Sequence, residues 1–176
     1  AGGNAASRGA ACFGREAKEL GVPSKLHSVY VSGYVLTLRK SVLRDVKSNI
    51  GVSYALYDEG AFRNKLKSGD MRYAPEALRV VNSDVPSSNS KVTEVELGKF
   101  YGDVLSRNAR VIHNEPLLHP FQPYNGLATE NQISYFEKVL SHNSTITPDN
   151  QIWQWKDLVG LISLISTLIM LMQLGK

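Results

Sequence analysis

The run NIGVSYALYDEG, residues 49–60, decides the fold. It is short, rich in β-forming apolar residues and closed by Asp58, Glu59 and Gly60, a pattern that predicts a strand ending in a turn. The run is apolar on both faces. Such a strand is typical of a parallel sheet that is covered on both sides.

Two further runs have the same character. KLHSVYVSGYVLTL, residues 25–38, is rich in Val and Tyr and predicts a second buried strand, and ARVIH, residues 109–113, predicts a short third one. Residues 4–20 have a broad apolar face of small side chains, which predicts a helix that lies close to a sheet. Because helices and buried strands alternate along the chain, the sequence predicts an α/β fold.

The last helix of the domain is predicted after residue 129. Thr129 and Gln132 have the spacing of a capping box, and Ile133, Phe136 and Leu140 share one helical face. The predicted domain therefore covers residues 1–142.

Residues 61–108 interrupt the alternation and are interpreted as a cap-like insertion. A short helix is predicted within 68–84, with Pro75 in its first turn, and another helix within 92–105. A cap of this kind would select the substrate, with Tyr73, Phe100 and Tyr101 as possible wall residues. The alternative is that these three side chains pack against the sheet.

The C-terminal part differs in character. Residues 143–152 form a polar linker, and 153–176 are strongly hydrophobic, with no charge between 158 and 174. Trp153, Trp155 and Lys156 precede the apolar run, where an interfacial belt belongs. We predict a transmembrane helix, with the lipid bilayer as partner and the membrane as location; the alternative is a helix buried in a soluble core.

The composition and net charge of the chain limit the classes of function that it can have. The chain has 176 residues, 43% of them hydrophobic, which is enough for one packed domain. The net charge of +4 is spread along the sequence, which argues against a nucleic-acid interface. A single cysteine, Cys12, excludes an internal disulfide and a zinc cluster, and its helical pattern predicts a buried position. No metal or cofactor is expected.

Two side chains are candidates for catalysis. His119 lies in the proline-bracketed loop EPLLHPFQP, residues 115–123, just beyond a strand, and Asp58 ends another strand. Because the carboxyl ends of parallel strands share one edge of a sheet, Asp58 and His119 are expected to converge there. A carboxylate in that place orients an imidazole and stabilises its charged form. Glu59 competes with Asp58 for the role of the acid.

Several stretches of the sequence, taken in their order along the chain, resemble segments of a known protein family. The sequence AGGNAASRGA (1–10) resembles the segment that follows a nucleophile elbow, and 49–60 resembles an acid-bearing strand. Residues 95–125, 131–140 and 148–162 resemble the histidine loop, the last helix and the approach to membrane helices. In this order they resemble the C-terminal part of bacterial membrane-attached α/β-hydrolases, which form part of the serine hydrolase superfamily.

The resemblance implies a Ser-Asp-His triad that hydrolyses an ester, amide or thioester bond of a small acyl or peptide substrate. Asp58 would be the acid, His119 the general base, and the backbone N–H of Ala1 one oxyanion donor. The serine would directly precede Ala1, so that this polypeptide lacks the nucleophile and is expected to be inactive alone. The alternatives are a non-catalytic membrane-anchored interaction or structural module, and a soluble α/β domain.

Overall fold

The computed structural model describes residues 2–33, 38–83 and 91–175. Its sheet has three strands, β1 (Ser28–Ser32), β2 (Asn49–Ala55) and β3 (Arg110–Glu115), in the order β1-β2-β3. Both pairs are parallel. The predicted α/β fold with a parallel sheet is therefore confirmed. β1 is shorter than the predicted strand, of which residues 34–37 lie outside the described ranges.

Helices cover both faces of this sheet. α1 (Gly2–Leu20), α2 (Lys40–Asp45) and α3 (Pro75–Val81) share the main core with side chains from one face of the strands, and α4 (Gly126–Val139) covers the other face. Every residue of β2 is buried, as expected for the central strand of a sheet covered on both sides.

Alternation along the strands separates the two cores. Val31, Val52 and Ile112 belong to the main core, whereas Val111 packs with Tyr135 of α4. The main core also includes residues from the segment interpreted as a cap, namely Met71, Ala74, Ala77, Val80, Val81 and Val95.

The prediction of a helix within residues 92–105 is wrong. The described chain forms turns there, and Gly98 and Gly102 have φ of +77° and +83°, which a right-handed helix cannot accommodate. Phe100 stacks on Tyr135, and Tyr101 pairs with Arg110 through the backbone. Both therefore pack against the domain, as in the alternative interpretation. Tyr73 is exposed and donates a hydrogen bond to Glu94.

Two details of the helices also differ from expectation. Cys12 is exposed, because α1 buries the face defined by Ser7, Ala10, Ala11, Gly14 and Ala17. α4 begins before the predicted cap, since Asn125 is its N-cap and accepts a hydrogen bond from the backbone N–H of Ala128.

The C-terminal helix α5 (Trp153–Leu174) is exposed along its length. It has 22 residues, a mean hydropathy of 1.9 over its most apolar window, and no buried residue. It is long and apolar enough to cross a membrane. Its first residue contacts the domain, because the ring of Trp153 lies 6.5 Å from that of Tyr124.

Candidate functional site

The candidate site lies at the carboxyl ends of β2 and β3. Two backbone hydrogen bonds continue the pairing of these strands beyond their ends, from Leu56 N–H to the Glu115 carbonyl (2.8 Å) and from Tyr57 N–H to the Leu117 carbonyl (3.1 Å). The second bond lies one residue before Asp58 and two residues before His119. Backbone pairing therefore brings the two predicted side chains to the same point.

The carboxylate of Asp58 lies beside the imidazole of His119, with 3.5 Å between Asp58 Oδ2 and His119 Nδ1. The Asp58 side chain is 10% exposed and that of His119 is 54% exposed. Asp58 Oδ1 accepts a 2.7 Å hydrogen bond from Gly60 N–H, which fixes the carboxylate in its turn. Glu59 is exposed, and among the described residues it makes no hydrogen bond or ion pair with His119. The geometry therefore favours Asp58 as the partner of the imidazole.

A second side chain contacts the imidazole of His119. His119 begins a 3-10 helix (His119–Tyr124), in which Gln122 occupies the position three residues further on. Side chains at this spacing eclipse one another in a 3-10 helix. Accordingly Gln122 Oε1 lies 3.0 Å from His119 Nδ1, closer than the Asp58 carboxylate.

Gln122 belongs to a buried polar chain beneath the imidazole. It is 3% exposed, and its Nε2 donates to the backbone carbonyl of Ser53 (3.2 Å) and to Ser53 Oγ (2.8 Å). Ser53 Oγ in turn donates to Glu115 Oε2 (2.7 Å), whose Oε1 accepts from Asn131 Nδ2 (3.0 Å). The chain thus links the 3-10 helix, strands β2 and β3, and helix α4 at this edge of the sheet.

Gly33 forms the opposite wall of the imidazole pocket. It follows β1, has φ of +94°, and its N–H donates to the Ser53 carbonyl (2.8 Å). A Cβ atom at this position would come within 2.8 Å of His119 Nδ1. The site requires glycine here both for the backbone conformation and for the space that the ring occupies.

A second histidine lies on the same face of the sheet. The Tyr30 hydroxyl is 3.0 Å from His113 Nδ1. Burial lowers the pKa of His113, and the Glu115 charge opposes that shift. Burial, followed by the Glu115 charge, raises the pKa of Tyr30. Both groups are therefore held in their neutral forms near neutral pH.

A pocket of about 400 Å³ adjoins this network. Ser53 and Gln122 line its polar side, and Tyr30, Pro123 and Trp153 line its apolar side. Since Trp153 is the first residue of α5, the apolar helix begins at the wall of this pocket.

One residue of the implied machinery falls outside the described part of the chain. Ala1, the implied oxyanion donor, lies outside the described residues. Within residues 2–33, 38–83 and 91–175, no group hydrogen-bonds to Nε2 of His119, and no group of three or more His, Cys, Asp or Glu side chains is arranged to hold a metal ion.

Sequence reasoning missed Gln122, Ser53, Glu115 and Gly33. Gln122 was detectable in principle, because it follows His119 by three residues between two prolines. Ser53 and Glu115 are polar residues in buried strands, but their pairing depends on strand register, which the sequence does not reveal.

Comparisons with protein families, with curated proteins and with solved structures found no match to this chain.

Proposed function

We propose that the chain carries the acid and the base of a serine-hydrolase triad on a domain of the α/β-hydrolase type. The contact between Asp58 and His119 carries this proposal, since the carboxylate and the imidazole meet at the carboxyl edge of a parallel sheet. Their order along the chain, acid before histidine, is that of the α/β-hydrolases.

The geometry suits general base catalysis. The buried Asp58 carboxylate faces Nδ1, while the ring is half-exposed and its Nε2 has no hydrogen-bond partner among the described residues. Nε2 would accept the proton of a serine hydroxyl during attack on an acyl carbonyl and return it to the leaving group. Asp58 would stabilise the imidazolium formed between these steps.

We further propose that α5 anchors this domain in a membrane. Its 22 residues span about 33 Å as a helix, against about 30 Å of bilayer hydrocarbon. Polar groups within it bond internally: Ser166 Oγ donates to the Ile162 carbonyl (2.9 Å) and Thr167 Oγ1 to the Ser163 carbonyl (2.8 Å). Trp153 and Trp155 would then lie at the interface, which brings the adjoining pocket near the lipid headgroups.

The test uses this chain together with whatever sequence its reading frame encodes before Ala1. We expect the longer chain to react with a fluorophosphonate probe and to hydrolyse a short-chain aryl ester. His119→Ala should reduce turnover by at least about 10³-fold, whereas His142→Ala, at an exposed position just before the linker, should not. Retained turnover in His119→Ala overturns the proposal. Absence of both labelling and hydrolysis would favour the non-catalytic, membrane-anchored module.

A further inference from the structure

The imidazole of His119 has two potential acceptors on the same nitrogen. Gln122 Oε1 lies 3.0 Å from Nδ1, and Asp58 Oδ2 lies 3.5 Å from it. A neutral imidazole carries one N–H, and its position depends on what the ring nitrogens face. If both neighbours accept, the proton belongs on Nδ1, and Nε2 keeps its lone pair.

The orientation of the Gln122 amide follows from its other contacts. One end of the amide faces the backbone carbonyl of Ser53 at 3.2 Å, and a carbonyl oxygen can only accept hydrogen bonds. That end must therefore be the NH₂ group, so the end facing His119 must be the carbonyl oxygen. The Ser53 carbonyl also accepts from Gly33 N–H, a bond that its second lone pair allows.

The Ser53 hydroxyl reinforces the same direction. Gln122 Nε2 donates to Ser53 Oγ at 2.8 Å, and Ser53 Oγ donates to Glu115 Oε2 at 2.7 Å. Asn131 holds the other oxygen of this carboxylate. Gln122 and Glu115 are 3% and 1% exposed, so water competes little for these bonds. From Gln122 through Ser53 to Glu115, each donor points away from His119, and Asn131 closes the far end by donating to Glu115.

We propose that Gln122 is a positioning residue that acts as a second acceptor for Nδ1–H of His119. Anchored by Ser53 and Glu115, it holds the imidazole in the tautomer that presents the Nε2 lone pair even when the Asp58 carboxylate is removed. The catalytic meaning of this arrangement rests on the proposed function, but the tautomer itself does not.

The experiment measures the tautomer directly. The full chain is labelled with ¹⁵N-histidine, placed in detergent micelles and examined by multiple-bond ¹H–¹⁵N correlation in alkaline buffer. The pattern of cross-peaks tells which ring nitrogen carries the proton. The chain has four histidines, and the His119 signals are those lost in His119→Ala. We expect the Nδ1–H pattern in the unaltered chain. An Nε2–H pattern overturns the proposal and requires no further variant.

Variants then separate the effect of Gln122 on the tautomer from that of Asp58. Asp58→Ala should retain the Nδ1–H pattern, because Gln122 still accepts. Asp58→Ala/Gln122→Leu should lose it and populate the Nε2–H tautomer. The matched control is Asp58→Ala/Gln132→Leu, which should retain the Nδ1–H pattern. It makes the same replacement at an exposed glutamine that lines, with Gln122, the 400 Å³ pocket described above. Gln122→Met replaces Gln122→Leu if circular dichroism shows that the double variant is unfolded.

Two results of this series contradict the proposal: loss of the Nδ1–H pattern in Asp58→Ala alone, and its retention in a folded Asp58→Ala/Gln122→Leu chain. Failure of the hydrolase proposal would give a different set of results. In that case the tautomers behave as expected, but the longer chain neither reacts with the fluorophosphonate probe nor hydrolyses the ester.

Discussion

The ring of His119 lies directly against the backbone of Gly33, so that a Cβ atom on Gly33 would be 2.8 Å from Nδ1 and 3.4 Å from Nε2. The glycine also has φ of +94°, a region that residues with a Cβ rarely adopt. This single position therefore determines both the path of the chain after β1 and the place of the imidazole.

Gly33→Ala should destabilise the fold and displace the imidazole. Backbone strain of this kind costs about 1–3 kcal/mol, and the overlap with His119 adds to it. We expect a lower free energy of unfolding in urea and a shift of the His119 ring resonances. Gly9→Ala is the control: nothing lies within 4 Å of its added Cβ, and in helix α1 it should raise stability by about 0.5–1 kcal/mol. Equal effects of the two variants would contradict the role assigned to Gly33.

Asp58→Asn in the longer chain should lower turnover by roughly 10²–10⁴-fold, because the charge that stabilises the imidazolium is lost. Glu59→Gln should leave turnover within about twofold, since Glu59 is exposed and has no bond to His119 among the described residues. Initial rates of ester hydrolysis measure both. If Glu59→Gln is the inactive variant, the assignment of the acid is wrong.

Removing residues 153–176 should transfer the protein from the alkali-washed membrane pellet to the supernatant. A milder test is Leu164→Arg near the middle of α5, because a charge at the centre of a membrane helix costs about 2.5–3.5 kcal/mol. Gln154→Arg, at the predicted interface, is the matched control and should remain with the membrane. A deleted chain that stays in the pellet would mean that α5 is not what retains it.

The partly buried His113 should make the fold sensitive to mild acid. Burial lowers its pKa from the usual 6.5, so the unfolded chain binds a proton that the folded chain does not. Stability is therefore complete above about pH 6.5 and declines as the pH falls from there toward the lowered folded-state pKa. His113→Asn retains an oxygen that can accept from the Tyr30 hydroxyl and should flatten this slope. Urea unfolding between pH 5 and 8 tests this, with His142→Asn, at an exposed position just before the linker, as the control. An unchanged slope in His113→Asn would mean that another group causes the acid sensitivity.

The strands of the sheet could be predicted because a buried parallel strand has a recognisable local run of apolar residues. Residues 49–55 are mostly apolar on both faces, and each of them is buried. The meeting of Asp58 with His119 followed from a rule about parallel strands, which needs only the ends of the strands and not their register.

What escaped prediction depends on longer-range geometry or on local backbone conformation. The apolar periodicity of 92–105 resembles a helix, but Gly98 and Gly102 turn the chain and place Phe100 on Tyr135. In α1 the position of the sheet, rather than the apolar count, decides which face is buried, and Cys12 lies on the other side. The amide of Gln122 could be oriented only after Ser53 was located beneath it.

The backbone bond from Tyr57 to the Leu117 carbonyl also bears on how this protein can be altered. It joins the chain one residue before Asp58 to the chain two residues before His119, so the spacing of the two side chains does not depend on the length of chain that connects them. Lengthening the exposed loops between residues 61 and 108 costs only the slowly growing entropy of a longer loop. The fold can thus accept new surface segments there, and with them new binding preferences, without disturbing the imidazole and its carboxylate.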